Sequence, residues 1–510
     1  MRRFGIIGLA LAAAVFFSPV SSVASDDPAN PVNRWIVKFR TENPVSTVRA
    51  SDPSVVIHQL KAELARNLGM TKSVIKLANQ EAIWAANAVA VTATPEEVRD
   101  IEQLANVEGV YPVKYRKWIT DGENPQPAAP SKAIQWSVAK VKAPEVWEKF
   151  KVDGSGIVVG HIDTGIDAKH PLLAGKVLLF KDFTALAKPE AYDDQGHGTH
   201  TAGSICGSDG VGVAPGAKLI VAKVFTKSGS ANDEEILKSM QWMMDPDGNP
   251  DTNDMPRLVS NSWGGSPETT ASGSFFFEIT NNWVAAGIFP VFAAGNSGPK
   301  GKVGSPANFK QSWAVAATTN TDGLAYFSSI GSTTFDGETY VKPDIAAPGA
   351  GVVSCKVGGG LVSNSGTSMA CPHVAGLAAL MLQANPKITI SEMREIAEAT
   401  AIDLGDKGKD NKFGSGRFDA LACITKIVPQ TPPANVVEGY KMALETEQAL
   451  IGKTQISPLA APMATYMIEK AKTLDSGEFN SLRNQYSSDS TVTKLLNQAA
   501  AAREFERIHY

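Results

Sequence analysis

Five near-continuous apolar runs, separated by segments of helical spacing, constrain this 510-residue chain more than any other feature. They are Ile157-Val-Val-Gly-His-Ile162, Leu219-Ile-Val-Ala-Lys-Val-Phe225, Leu258-Val-Ser-Asn261, Ile288-Phe-Pro-Val-Phe-Ala-Ala294 and Trp313-Ala-Val-Ala-Ala317. A strand with one wet face alternates apolar and polar residues. A strand covered on both faces does not, and that is the habit of parallel sheets. Helical patterns at 233–244 and 274–286 supply crossovers of the kind that parallel strands need. Residues 133–428 therefore read as a three-layer α/β domain with a mainly parallel sheet. Ligands in such folds bind outside the carboxyl ends of the strands. Asp163 and Asn296 both fall there, just after an apolar run.

Smaller segments flank this domain. Residues 1–24 read as a secretory signal: Arg2 and Arg3, an apolar stretch from Phe4 to Phe17, then Ser22-Val-Ala24 as cleavage site. The apolar stretch is too short for an ordinary membrane span, so no membrane association is expected after cleavage. Residues 34–118 read as a compact α+β unit of strand–helix–strand–strand–helix–strand order. In its second helix Thr94 is the N-cap, Pro95 the first helical residue and Glu97 the partner in a capping box. Residues 119–132 are rich in Pro, Ala and polar residues and read as a linker. Pro429-Gln-Thr-Pro-Pro433 breaks the chain again, and 434–510 has helical spacing without any catalytic motif.

Three Gly-rich segments carry the chemistry, in the order Asp163-Thr-Gly165, His197-Gly-Thr-His-Thr-Ala-Gly203 and Asn364-Ser-Gly-Thr-Ser-Met-Ala-Cys-Pro-His-Val-Ala-Gly376. Taken singly each is weak. A Ser at a helix start is usually an N-cap, a lone His is usually structural, and Asp-Thr-Gly also occurs in aspartic peptidases. That last class needs two such motifs, and only one is present. An α/β-hydrolase would need a Gly-x-Ser-x-Gly elbow and the order Ser…Asp…His. Together the three segments resemble the subtilisin-like serine peptidases (subtilases, peptidase S8 family). Gln135-Trp-Ser-Val-Ala-Lys-Val-Lys-Ala-Pro144 and Met240-Gln-Trp-Met-Met244 more weakly resemble the bacillopeptidase F-like branch.

The resemblance implies a secreted or periplasmic endopeptidase, made as a zymogen and acting on proteins or peptides. Ser368 would be the nucleophile, His197 the general base and Asp163 its orienting partner; Asn296 would donate to the oxyanion. His200 would be structural. Residues 34–118 would be a ferredoxin-like propeptide, an intramolecular inhibitor covering the cleft. Ser262, Trp263 and Gly264 would pair with the substrate backbone, while Ala294, Gly295 and Gly304 would shape the S1 pocket. With glycine at its floor and no acid nearby in sequence, that pocket suits an apolar P1 side chain. Trp263 departs from the small or aliphatic residue common at its position.

The chemistry requires no cofactor. Asp245, Asp247, Asn249 and Asp251 alternate as oxygen ligands do in a calcium loop, but the bidentate glutamate is missing and a proline replaces the loop glycine. The stretch reads either as a structural calcium site or as a solvated loop. Cys206, Cys355, Cys371 and Cys423 allow three full disulfide pairings, among which the sequence does not choose. A net charge of −4 without a basic stripe argues against nucleic acid as a partner.

Overall fold

A computed structural model describes residues 33–42, 52–71, 80–120, 123–128 and 133–428. The signal segment and the helical reading of 434–510 lie outside the described residues. β1 (Arg34–Phe39), α1 (Pro53–Thr71), β2 (Glu81–Ile83), β3 (Ala88–Thr92), α2 (Pro95–Glu102) and β4 (Val107–Pro112) build the N-terminal unit. Its antiparallel sheet has the order β2-β3-β1-β4. The α2 capping box forms: Thr94 Oγ1 accepts from Glu97 N at 3.3 Å, and Glu97 Oε2 accepts from Thr94 N at 2.7 Å. Val98 and Ile101 are the buried face of this helix.

Two short strands, β5 (Tyr115–Lys117) and β6 (Glu123–Pro127), pair with nothing in that unit. The large domain follows with α3 (Trp136–Lys140), α4 (Ala143–Phe150), β7 (Val158–Asp163), β8 (Val177–Asp182), α5 (His197–Cys206), β9 (Lys218–Lys223), β10 (Ser230–Asn232) and α6 (Asp233–Trp242). It continues through β11 (Leu258–Asn261), α7 (Phe275–Ala285), β12 (Phe289–Ala293), β13 (Trp313–Thr318), the hairpin β14 (Thr333–Phe335) and β15 (Glu338–Tyr340), and β16 (Ile345–Pro348). β17 (Val352–Cys355), β18 (Leu361–Ser365), α8 (Thr367–Ala384), α9 (Ile390–Thr400) and α10 (Ala420–Ile427) complete it.

Seven of these strands form one sheet, ordered β16-β13-β12-β11-β7-β9-β8, with every pairing parallel. Successive residues of one strand serve opposite layers, which accounts for the unbroken apolar runs. Leu219 and Val221 of β9 join the core built with α5, α8 and α10, whereas Ile220 and Ala222 join the core on the α6 and α7 side. This is the three-layer α/β arrangement expected from the sequence.

The N-terminal unit contributes to that second core. Ile36, Val56, Ile57 and Leu60 are buried in one cluster with Ile236 and Met240 of α6 and Ile279 and Trp283 of α7. Ion pairs rim the contact: Arg34 with Glu234 at 2.7 Å, Lys38 with Glu278, Lys61 with Asp245 at 2.5 Å and Arg116 with Asp233 at 3.0 Å. In each of these pairs the cation precedes residue 120 and the acid follows it. Along this rim the two surfaces are complementary in charge. None of the described helices is long and apolar enough to cross a membrane.

Candidate active site

The site is assembled at the carboxyl ends of β7, β11 and β12, where a parallel sheet exposes its loops. Asp163 ends β7 and is fully buried. Its Oδ1 accepts from His197 Nδ1 at 2.7 Å and from Thr164 N at 2.7 Å, and its Oδ2 from Thr201 Oγ1 at 3.2 Å. Burial alone would push this carboxyl up. The charge and hydrogen bond of His197 outweigh it and hold Asp163 below the usual carboxylate range. With Nδ1 donating to the carboxylate, Nε2 is the nitrogen left to act as a base.

His197 opens α5, and its neighbour explains how the helix comes so close to Asp163. A Cβ on Gly198 would sit 2.2 Å from Gly165 O, so only glycine allows the contact. Thr164 Oγ1 accepts from Gly198 N at 2.8 Å and donates to Asp193 Oδ1 at 2.9 Å. Asp193 Oδ1 also accepts from Gln195 N at 3.0 Å and Gly196 N at 2.8 Å, and its Oδ2 from Thr199 N at 2.9 Å and Thr199 Oγ1 at 2.7 Å. Asp193 thus ties the turn after Asp163 to the first turn of α5. Sequence reasoning missed it; its signal was an acid a few residues before a helix start, which is common and unspecific.

Three other buried histidines hold main-chain carbonyls. His200 Nε2 donates to Val352 O at 3.1 Å, and burial pushes its pKa down to about 3. His373 Nδ1 donates to Met369 O at 2.8 Å, with a pKa pushed down by burial to about 4. His161 Nε2 donates to Gly198 O at 3.0 Å, and burial lowers its pKa too.

Ser368 is the second residue of α8, where the helix dipole and free N–H groups favour negative charge. Pro372 stands four residues on and has no N–H to offer the Ser368 carbonyl. Ser262 takes that role: its Oγ donates to Ser368 O at 2.9 Å, while Ser368 Oγ donates to Ser262 O at 3.0 Å. The two serines are tied together in both directions. Thr367, also missed by sequence reasoning, fixes the Asn296 amide. Its N–H and Oγ1 both donate to Asn296 Oδ1 at 2.9 Å, which turns Asn296 Nδ2 outward.

A cavity of about 320 Å³ is lined by Ser262, Trp263, Gly264, Ala294, Gly295, Asn296, Gly304 and Ser368, with Trp118 and Thr120. All six expected substrate-contact residues therefore share one cavity with Ser368 and Asn296. Gly304 has its own reason to be glycine, since a Cβ there would meet Gly265 O at 2.4 Å. Trp263 is buried in an aromatic cluster with Trp118, Phe225, Phe276 and Phe292.

The chain itself runs along this cavity. β5 pairs antiparallel with β10. Trp118 N and Ile119 N donate to Gly229 O at 2.9 and 3.1 Å, and Gly264 N donates to Trp118 O at 3.3 Å. The Trp118 indole lies edge-on to Trp263, centroids 5.8 Å apart, and donates to Ala231 O at 3.3 Å. Asn296 Nδ2 donates to the Thr120 carbonyl. Beyond, β6 pairs antiparallel with β18, the strand that leads into Gly366 and Ser368. The stretch read as a linker thus contains a paired strand.

All four cysteines are free thiols and buried. Burial pushes Cys206, Cys371 and Cys423 up to about 12, far from a nucleophilic thiolate. Of the four residues read as calcium ligands, Asp245 and Asp247 come together, joined by Asp254. Asn249 Oδ1 instead accepts from Asp251 N at 3.2 Å, and the Asp251 carboxylate faces His58 at 2.9 Å.

Residues 154–416 match the family described as the Subtilase family. The chain is 35% identical over 396 residues to Bacillopeptidase F of Bacillus subtilis, an alignment covering 70% of this chain and 27% of that protein. It thus spans about a quarter of that relative. It is 36% identical over 296 residues to Subtilisin Savinase of Lederbergia lenta, covering 57% of this chain and 99% of the relative. Serine protease AprX of Bacillus subtilis is 35% identical over 302 residues, 52% of this chain and 66% of that protein. The chain belongs to the subtilase family and carries the domain of a serine-type endopeptidase.

Proposed function

We propose that this is an exported endopeptidase made as a zymogen, with Ser368, His197, Asp163 and Asn296 as its catalytic set. Ser368 Oγ turns from the Ser262 carbonyl and attacks the peptide carbonyl carbon. Its proton passes to His197 Nε2 and then to the leaving amine, while Asp163 holds the imidazole by Nδ1. The resulting acyl-enzyme is hydrolysed by a water that His197 activates. The developing oxyanion is received by Asn296 Nδ2 and by the Ser368 N–H at the start of α8.

One observation carries the reading. The Asn296 amide already holds a peptide carbonyl, that of Thr120, in a cavity that Ser368 lines. The segment bearing it is an added strand on both sides, on β10 before the carbonyl and on β18 after it. That is how a protease grips main chain. It supports reading residues 34–118 as the inhibitory propeptide and Thr120–Asp121 as the bond to be cut. Mass spectrometry of secreted wild-type protein should find a mature chain beginning at Asp121 and labelled by a fluorophosphonate at Ser368. An unlabelled protein would instead be a binding protein on a peptidase scaffold.

The pocket supports an uncharged P1. Outside the segment to be removed, its charged liner among the described residues is Lys302, a cation that repels Arg or Lys. Trp118, two residues before the proposed scissile bond, occupies an aromatic slot beside Trp263 and Phe276. A peptide library should therefore select apolar or small P1 residues and an aromatic at P3. A profile led by Arg or Lys at P1 would overturn this. Export rests on the signal-like residues 1–24; nucleic acid and membrane are not expected partners of the mature protein.

A further inference from the structure

We propose that the loop between α6 and β11 is a site for a calcium-class cation, built from Asp245, Asp247 and Asp254, and that Lys61 of the N-terminal unit occupies its cation position in the uncut chain. The inference rests on the reading of residues 34–118 as a removable propeptide. One carboxylate oxygen from each of the three aspartates lies within 4.8 Å of the others. Oxygens on opposite sides of a calcium ion bonded at 2.3–2.6 Å stand about 5 Å apart, so the three fit around one ion.

Asp245 is the buried member of the three. Only 3% of its side chain is exposed. Its Oδ2 receives Lys61 Nζ at 2.5 Å, but its Oδ1 is buried with no hydrogen-bond partner among the described residues. A buried carboxylate oxygen left bare is costly, and native folds rarely keep one without a purpose. The rest of the loop is already set. Asp247 Oδ1 accepts from Asn249 N at 2.8 Å and its Oδ2 from Thr252 Oγ1 at 2.9 Å, while Asp254 Oδ2 accepts from Asp247 N at 2.9 Å.

A cation already stands in this place. The Lys61 ammonium reaches Gly248 O at 3.4 Å as well as Asp245, bridging a carboxylate and a main-chain carbonyl. Those are the two donor types a calcium loop uses. Lys61 belongs to α1, so departure of the propeptide removes the only cation paired with Asp245 among the described residues. Three anionic oxygen donors and a carbonyl, with no sulfur or imidazole among them, select a hard ion such as calcium over zinc. Lys61 and calcium then exclude one another, and calcium favours the separated form by mass action.

The test uses the full chain with Ser368→Ala, so that no cut occurs. The probe is terbium, a calcium surrogate excited through Trp242, whose indole donates to Pro246 O at 2.8 Å in this loop. Adding Lys61→Met should tighten terbium binding at least tenfold, with calcium displacing it. Adding Asp245→Asn or Asp254→Asn to that protein should abolish the gain. Equal affinity with and without Lys61→Met, or a gain that survives Asp245→Asn, overturns the proposal. Should Lys61→Met not fold, calcium-dependent melting of the processed, fluorophosphonate-inhibited enzyme decides instead: a rise lost in Asp245→Asn supports the site, and an unchanged rise overturns it. The terbium readouts use no peptidase activity. A wild-type chain that never cuts itself would sink the zymogen reading while leaving terbium binding to be judged separately.

Discussion

The full chain carrying Ser368→Ala should be recovered uncut, with peptide hydrolysis about a million-fold below wild type. Asn296→Ala should still process itself, but with kcat lower by about 10²–10³ and KM little changed. Both figures come from a bacterial subtilisin and are carried over to this chain. The contrast follows from geometry. Without the Ser368 hydroxyl there is no nucleophile, and the Thr120 carbonyl rests where it lies. Without the Asn296 amide, the Ser368 N–H at the start of α8 still faces the oxyanion, so only one donor is lost. That donor acts on charge that develops during the reaction, so its loss falls on kcat. Active-site titration, steady-state kinetics on a chromogenic peptide and intact-mass analysis measure all three quantities. Wild-type processing in the Ser368→Ala chain would assign the cut to another protease, and undiminished peptide hydrolysis by that chain would remove Ser368 from its role.

Much of the large domain was legible because its physics is local. Runs apolar on both faces announced β7, β9, β11, β12 and β13 within a residue or two. The strands passed over are the two edges of the sheet, β8 and β16. β8 has Leu178 and Leu179 exposed, so its apolar residues do not report burial, and β16 is only four residues long. Thr94-Pro-Glu-Glu97 specified the α2 start because a capping box closes within four residues.

The site divides in the same way. Asp163, His197, Ser368 and Asn296, the proposed catalytic set, stand out because their neighbours form recognisable strings. Thr367, Asp193 and Lys61 do not, because their roles arise from contacts that no local pattern encodes. Thr367 matters through an amide 71 positions away and Lys61 through a carboxylate 184 positions away. The linker was read from composition, which does register its prolines. Composition cannot register that β18 offers an open edge on which Glu123–Pro127 can pair.

Asp193→Ala should be the most damaging change outside the catalytic set, costing about 3–5 kcal/mol of stability and about 10² in kcat. The carboxylate receives five hydrogen bonds from four residues, three of them fully buried. Alanine leaves those donors without an acceptor, and each buried one costs about 1–3 kcal/mol. Asparagine is no remedy, because its NH₂ would face donors at either oxygen position. The loss reaches the chemistry through Thr164, whose hydroxyl bridges Asp193 to Gly198 N beside His197. Once that bridge slackens, His197 and Asp163 are no longer held at 2.7 Å by their surroundings. Asp193 touches no substrate and acts only through position. Kinetics on a small activated ester and on a long peptide should therefore show the same fall in kcat with KM preserved, beside a lowered melting temperature. A variant that melts lower yet keeps wild-type kcat at a temperature where it is folded would make Asp193 a stabilising residue alone.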